Sequence, residues 1–163
     1  MLNIVICTSD VDHCSDHLQD ILRFRVPFRV TVLWHETTGY DRLSDLASGY
    51  PTVRWIRHTT ASFFSDFLFA LYSDCYGKTL VLTDDDICDE DLVSSAEFAK
   101  LVQDPASIAT DTRSEELKDT LSGVVYSTAA LLELMEDTEV IRSLGEASIQ
   151  TLSNLWRERR LHV

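Results

Sequence analysis

The stretch KTLVLTDDDICDEDL, Lys78 to Leu92, sets an apolar, β-prone run directly against three consecutive aspartates. Leu80, Val81 and Leu82 have the composition of a buried strand, and Asp84, Asp85 and Asp86 place three like charges at its carboxyl end. Carboxylates this close repel one another unless something positive sits among them. Asp89, Glu90 and Asp91 have a simpler explanation. They open the helix predicted in DEDLVSSAEFAKLVQD, where acidic residues complement the helix dipole.

The segments before the aspartates alternate strand and helix signals, the pattern of an α/β layer fold with a mostly parallel sheet. LNIVICT is the predicted first strand. DHCSDHLQDILRF carries Cys14, Leu18, Ile21 and Leu22 at helical spacing, and FRVTVLWHE is the second strand. TGYDRLSDLASGY predicts a short helix or loop closed by Gly49, and PTVRWIRHT a third strand with Val53, Trp55 and Ile56 partly buried. TASFFSDFLFALYSDCYG predicts an apolar helix with Gly77 at its C-cap, followed by the strand that ends in the aspartates. Beyond them SIATDT and GVVYST are short strand candidates, and STAALLELMED and TEVIRSLGEASIQTLSNLWRERR are helical by period. No repeat, low-complexity segment or linker interrupts the chain.

At 163 residues the expectation is one domain with a continuous core. No apolar run approaches the roughly 20 residues needed to cross a bilayer. MLNIVIC lacks a basic region and is too short for a signal peptide, so it is read as the first strand of a cytoplasmic protein. The four cysteines form no CxxC pair or zinc-type cluster. A net charge of -13, from 27 acidic and 14 basic residues, disfavours nonspecific attraction to nucleic acid or anionic membrane. The arginines at 23, 25 and 29 and the WRERRLHV tail are read as solvated surface.

In a parallel α/β sheet, ligands sit beyond the carboxyl ends of the strands. Along an extended backbone Asp84 and Asp86 project to one side and Asp85 to the other, so a DxD pair offers two carboxylates to one cation or cation-bound phosphate. Hard oxygen ligands suit Mg2+ or Mn2+.

An apolar strand ending in DDDI after strand, helix, strand units resembles the DxD segment of A-type nucleotide-sugar glycosyltransferases, with an exostosin-like flavour. The resemblance implies a single-domain, Rossmann-like α/β fold, a mostly parallel sheet flanked by helices, with a nucleotide-binding half over 1–88 and an acceptor-side half with C-terminal helices over 89–163. It implies a metal-dependent transferase that moves a sugar from a nucleoside diphosphate sugar, UDP-sugar by preference, to an acceptor hydroxyl. Asp84 and Asp86 would hold the metal on the diphosphate, with Asp86 ranked first at the reacting centre, and Asp85 would contact donor sugar or ribose. Thr8, Ser9 and Asp10 stand where such families contact the nucleoside; equally, they suit a cap on the next helix. TLSGVVYSTAALLELM resembles the segment facing acceptor and donor sugar. Gly145 and Glu146 resemble a GED-like helix start, making Glu146 the candidate base or acceptor contact, and His162 stands as a further metal ligand. Ala147 departs from that pattern, as does the lack of an arginine around Ser65 and Asp66.

The acceptor class stays open among glycan, small molecule, protein and a hydroxylated base in DNA. Two other readings compete: a haloacid-dehalogenase-like phosphatase, whose nucleophile strand would normally open the chain, and a nucleotide-binding or regulatory module without turnover. Arg57 at the end of the third strand and Lys78 before the fourth could approach a diphosphate, and are read chiefly as surface. Trp34, Trp55, Phe63, Phe64, Phe67 and Phe69 are read as packing, and His13, His17, His35 and His58 as surface or strand residues.

Overall fold

Alternation along the first strand decides which helix each side chain meets. In β1 (Leu2–Thr8) the even residues Leu2, Ile4 and Ile6 join Val30, Val32 and Trp34 of β2 (Phe28–His35) and Leu80 and Leu82 of β4 (Lys78–Thr83) in one apolar cluster. Cys14, Leu18 and Ile21 of α1 (Val11–Ile21) and Leu43 of α2 (Tyr40–Ser48) cover that cluster. The odd residues Val5, Leu33 and Val81 are equally buried on the opposite face, where α3 (Phe63–Leu71) packs. The strands therefore carry near-continuous apolar runs, as a sheet covered on both faces requires. The computed structural model describes residues 1–24, 26–59, 61–72, 77–84, 109–111 and 124–136.

The sheet order is β3-β2-β1-β4-β6-β5, with β3 at Arg54–His58, β5 at Ala109–Asp111 and β6 at Val124–Ser127. β1 to β4 run parallel to one another, β6 is antiparallel to β4, and β5 is antiparallel to β6. This is the expected Rossmann-like, mostly parallel α/β sheet flanked by helices. The chain steps from β1 outward to β2 and β3, then returns across the sheet through α3 to place β4 on the other side of β1. The strand order thus reverses between β1 and β4, and at such a reversal the flanking helices part to leave a crevice beyond the carboxyl ends.

A buried polar chain ties the α3 side together. Asn3 Nδ2 donates to the Ala70 carbonyl at 3.1 Å, and the Thr79 and Thr128 hydroxyls meet at 2.7 Å. Thr128 opens α4 (Thr128–Glu136), and its amide donates to the Gly77 carbonyl at 3.0 Å. Gly77 therefore does not cap α3, contrary to the sequence expectation. That helix ends at Leu71 with Tyr72 as its cap, and Gly77 instead leads into β4.

Two aromatic and apolar assignments also change. Phe69 is 58% exposed with the Arg54 guanidinium 5.3 Å from its ring centre, so it covers surface rather than core. Leu22 lies beyond the end of α1 and is 66% exposed, while His17 is buried. At about 100° per residue the positions 14, 17, 18 and 21 form one narrow stripe, and Leu22 falls to its side. Among the described residues no helix is long and apolar enough to cross a membrane.

Candidate functional site

The candidate site is built where β1 and β4 end side by side. Cys7 is in register with Thr83, which sets Thr8 level with Asp84. Both are even-numbered continuations of the alternation that faces α1, so their side chains meet there. The Thr8 hydroxyl donates to Asp84 Oδ1 at 2.5 Å, and the Ser9 amide and hydroxyl both donate to Oδ2, at 3.0 and 3.2 Å. Three charge-assisted bonds thus fasten the first aspartate of the cluster to the turn after β1.

A carboxylate has about four acceptor positions, so these bonds leave Asp84 one lone pair on Oδ1. It fits a divalent ion as a single-point oxygen ligand and not as a bidentate clamp. That is compatible with magnesium, which is commonly held by one or two carboxylates together with substrate phosphates and water. Asp85, Asp86, Glu146 and His162 lie outside the described residues, as do Cys75, Cys88 and Ala147. Among the described residues no group of three His, Cys, Asp or Glu side chains gathers as a metal site.

Asp10 caps the helix that follows β1. Its Oδ1 accepts the Asp12 amide at 2.8 Å as the N-cap of α1, and its own amide donates to the Thr8 hydroxyl at 3.1 Å. Oδ2 lies 3.2 Å from His13 Nδ1. The Asp12 amide, and then His13, hold the Asp10 carboxyl below its usual range. The Asp10 carboxylate in turn raises His13, to which the charge of Asp84 also contributes. Arg42 of α2 pairs with Asp12. The amino end of α1 therefore presents to the crevice a mixed surface in which Thr8, Ser9 and Asp10 are already oriented by one another.

Beneath this surface α1 supplies two buried groups, Cys14 on the expected apolar stripe and His17, which lies in a helix and is buried, contrary to the expectation of a surface or strand residue. His17 Nε2 lies 2.7 Å from the Thr83 carbonyl, the peptide immediately before Asp84. Cys14, one turn earlier, has its thiol pushed up to about 12, first by burial and then by the charge of Asp84. Only the thiolate reacts readily with alkylating reagents. Native protein treated with iodoacetamide at pH 8.5 is therefore expected to leave Cys14 unmodified by peptide mass mapping, whereas urea-unfolded protein is modified there. Alkylation of native Cys14 at the rate of a free cysteine would contradict the burial.

The remaining strand ends carry a second, aromatic group. His35 and His58 are paired in register at the ends of β2 and β3, with ring centres 5.3 Å apart, and Phe63 lies 5.2 Å beyond His58. Burial lowers His58 from its ordinary value, and neighbouring His35 adds to the effect. Arg57 sits 6.0 Å over the Trp34 ring and 3.8 Å from Glu36, which occupies it at the surface away from Asp84. Lys78 is displaced further. It opens β4 and is buried at the amino end of that strand, roughly 20 Å from Asp84 at about 3.3 Å per residue, so it does not approach a ligand there. A cleft of about 280 Å³ lined by Met1, Leu18, Phe28, Tyr50 and Val53 also opens at the amino ends of β1 and β2, away from the carboxylates.

Neither a protein-family model nor a curated protein matches the sequence. Solved structures do resemble it. TarS 1-349 of S. aureus aligns with a TM-score of 0.58 at 13% identity, over 89% of this chain and 55% of that one. A 4-diphosphocytidyl-2C-methyl-D-erythritol synthase aligns with a TM-score of 0.58 at 12% identity, over 100% of this chain and 87% of that one. The fold is common to all three. This chain spans about half the length of the TarS chain it matches and most of the synthase. At these identities the likeness is one of architecture.

Proposed function

We propose that this chain is a metal-dependent glycosyltransferase that takes its sugar from a nucleoside diphosphate sugar, with UDP-sugar the favoured donor, and transfers it to an acceptor hydroxyl. The observation that carries the reading is the placement of Asp84 against Thr8 and Ser9 at the strand-order reversal between β1 and β4. That is where open α/β sheets bind nucleotides. Support also comes from the synthase of the same fold, whose name specifies a diphosphocytidyl product.

In this reading Asp84 and Asp86 offer oxygen ligands to Mn2+ or Mg2+. The bound ion supplies charge neutralisation for the departing diphosphate. Thr8 and Ser9 hold the Asp84 carboxylate in one orientation before any ligand arrives, which lowers the ordering cost of binding. The amino end of α1 adds a positive dipole end facing the same crevice. Asp85 is assigned to donor sugar or ribose, Glu146 to the acceptor hydroxyl as base, and His162 to the metal.

The test is a thermal-shift and calorimetric screen of nucleoside diphosphates with and without Mn2+. Ligand at about 100 times its Kd is expected to stabilise the native chain by about 2.7 kcal/mol, and only with metal present. A native chain that binds no nucleoside diphosphate in the presence of Mn2+ would sink the proposal. One further reading is favoured by the near-complete overlap with the synthase: formation of a nucleoside diphosphate linkage rather than its cleavage. Release of inorganic diphosphate from a nucleoside triphosphate would select it, and release of nucleoside diphosphate from a sugar donor would select transfer.

A further inference from the structure

Asp84 follows the end of β4, which pairs with β1 as far as Thr83. On the α1 side the backbone there meets His17, which is 3% exposed and whose Nε2 lies 2.7 Å from the Thr83 carbonyl. A carbonyl oxygen only accepts, so Nε2 carries the proton and donates. A histidine buried this deeply, with its ring nitrogen on the peptide that precedes a functional carboxylate, has a more specific use than filling space.

We infer that His17 is a positioning residue for Asp84: its Nε2–H on the Thr83 carbonyl fixes the end of β4, and with it the direction in which Asp84 leaves the strand. The inference rests on the proposed donor site. Two independent restraints then converge on one peptide. The Asp84 side chain is fastened to the turn after β1, and the backbone just before it is fastened to α1. Both restraints arise from the same β1–α1 segment, so Asp84 and the amino end of α1 move as one body. A shift of about 1 Å in such groups is enough to cost roughly a hundredfold in a reaction that depends on their placement.

His17→Leu removes the donor while retaining an apolar side chain, and His17→Gln keeps an amide N–H at similar reach. Two readouts are taken on the full chain. The first needs no ligand: exchange of the Ser9 amide, which donates to Asp84 Oδ2, followed by NMR. It is expected to accelerate at least tenfold in His17→Leu relative to the amides of β1 and β2, and to return to within threefold of native in His17→Gln. The second is calorimetric titration with UDP and Mn2+, expected to weaken at least tenfold in His17→Leu and to recover in His17→Gln. Unchanged Ser9 exchange in His17→Leu, or equal acceleration of all strand amides in both variants, overturns the positioning role. A native chain that binds no UDP with Mn2+ counts against the donor site instead, and Ser9 exchange then still decides whether His17 positions Asp84.

Discussion

Asp84→Asn is expected to weaken binding of a nucleoside diphosphate with Mn2+ by roughly 10- to 100-fold, the range seen when groups that orient a metal site are altered. An asparagine retains one acceptor oxygen and replaces the other with a donor. Turned one way, its NH2 faces the Ser9 amide donor to donor; turned the other, the Thr8 hydroxyl must accept rather than donate, and in either case the bonds no longer run to a charged acceptor. The loss of hydrogen bonds to a charged acceptor also lowers stability, by about 1–3 kcal/mol. At about 2–4 °C per kcal/mol for a chain of this size, that is a fall in Tm of a few degrees. Calorimetric titration and a melting curve on the same sample separate the two effects. If affinity is unchanged while Tm falls, Asp84 serves only to join β4 to β1, and the nucleotide site lies elsewhere.

Phe67→Ala is expected to have the largest effect on stability, about 3–5 kcal/mol. Phe67 is fully buried in α3, stacked on Phe63 with ring centres 5.6 Å apart and planes 18° from parallel. Its helix packs against β1, β2 and β3 and carries the chain back across the sheet to β4. A cavity there cannot close without moving strands already held in register. The corresponding fall in Tm is roughly 10 °C, and denaturant unfolding should show a lower midpoint with the same slope. Phe69→Ala, two residues on and exposed, is the control, with a change of less than about 0.5 kcal/mol. Equal losses in both variants would show that α3 does not pack through Phe67.

The likeness to two solved structures at 12% and 13% identity shows how little of this architecture depends on particular side chains. Parallel strands in a covered sheet require apolar, β-branched runs, and many sequences supply them. What distinguishes one such chain from another is the set of groups at the strand ends. Here these are a hydroxyl and an amide after β1, a carboxylate after β4, and a histidine pair after β2 and β3. The backbone between them spaces the groups, and their chemistry decides what binds.

Much of the fold was legible because its causes are local. LNIVICT and FRVTVLWH are strands because continuous apolar, β-branched residues suit a sheet buried on both faces, and the expected limits agree with the structure to within a residue. Asp84 also announced itself, since three carboxylates after a buried strand need an explanation that packing does not provide. The end of α3 was less legible. Gly77 looks like a helix cap by residue type, but its carbonyl is taken by Thr128, 51 positions later, and no local pattern encodes that bond.

The site was legible only in its parts. Sequence alone determined that strand, helix and strand alternate, that acidic groups stand at a strand end, and that hydroxyl groups follow the first strand. Tertiary structure decided that β4 returns to lie beside β1, which brings Thr8 and Asp84 together across 76 positions and takes most of the acceptor capacity of the carboxylate. It also decided that His17 faces the end of β4 across 66 positions, while Lys78 stands at the wrong end of its strand. Periodicity is written into neighbouring residues because it reports which side of one element is dry. The meeting of two strand ends depends on where the chain crosses the sheet, and that is settled by the packing of α3 as a whole.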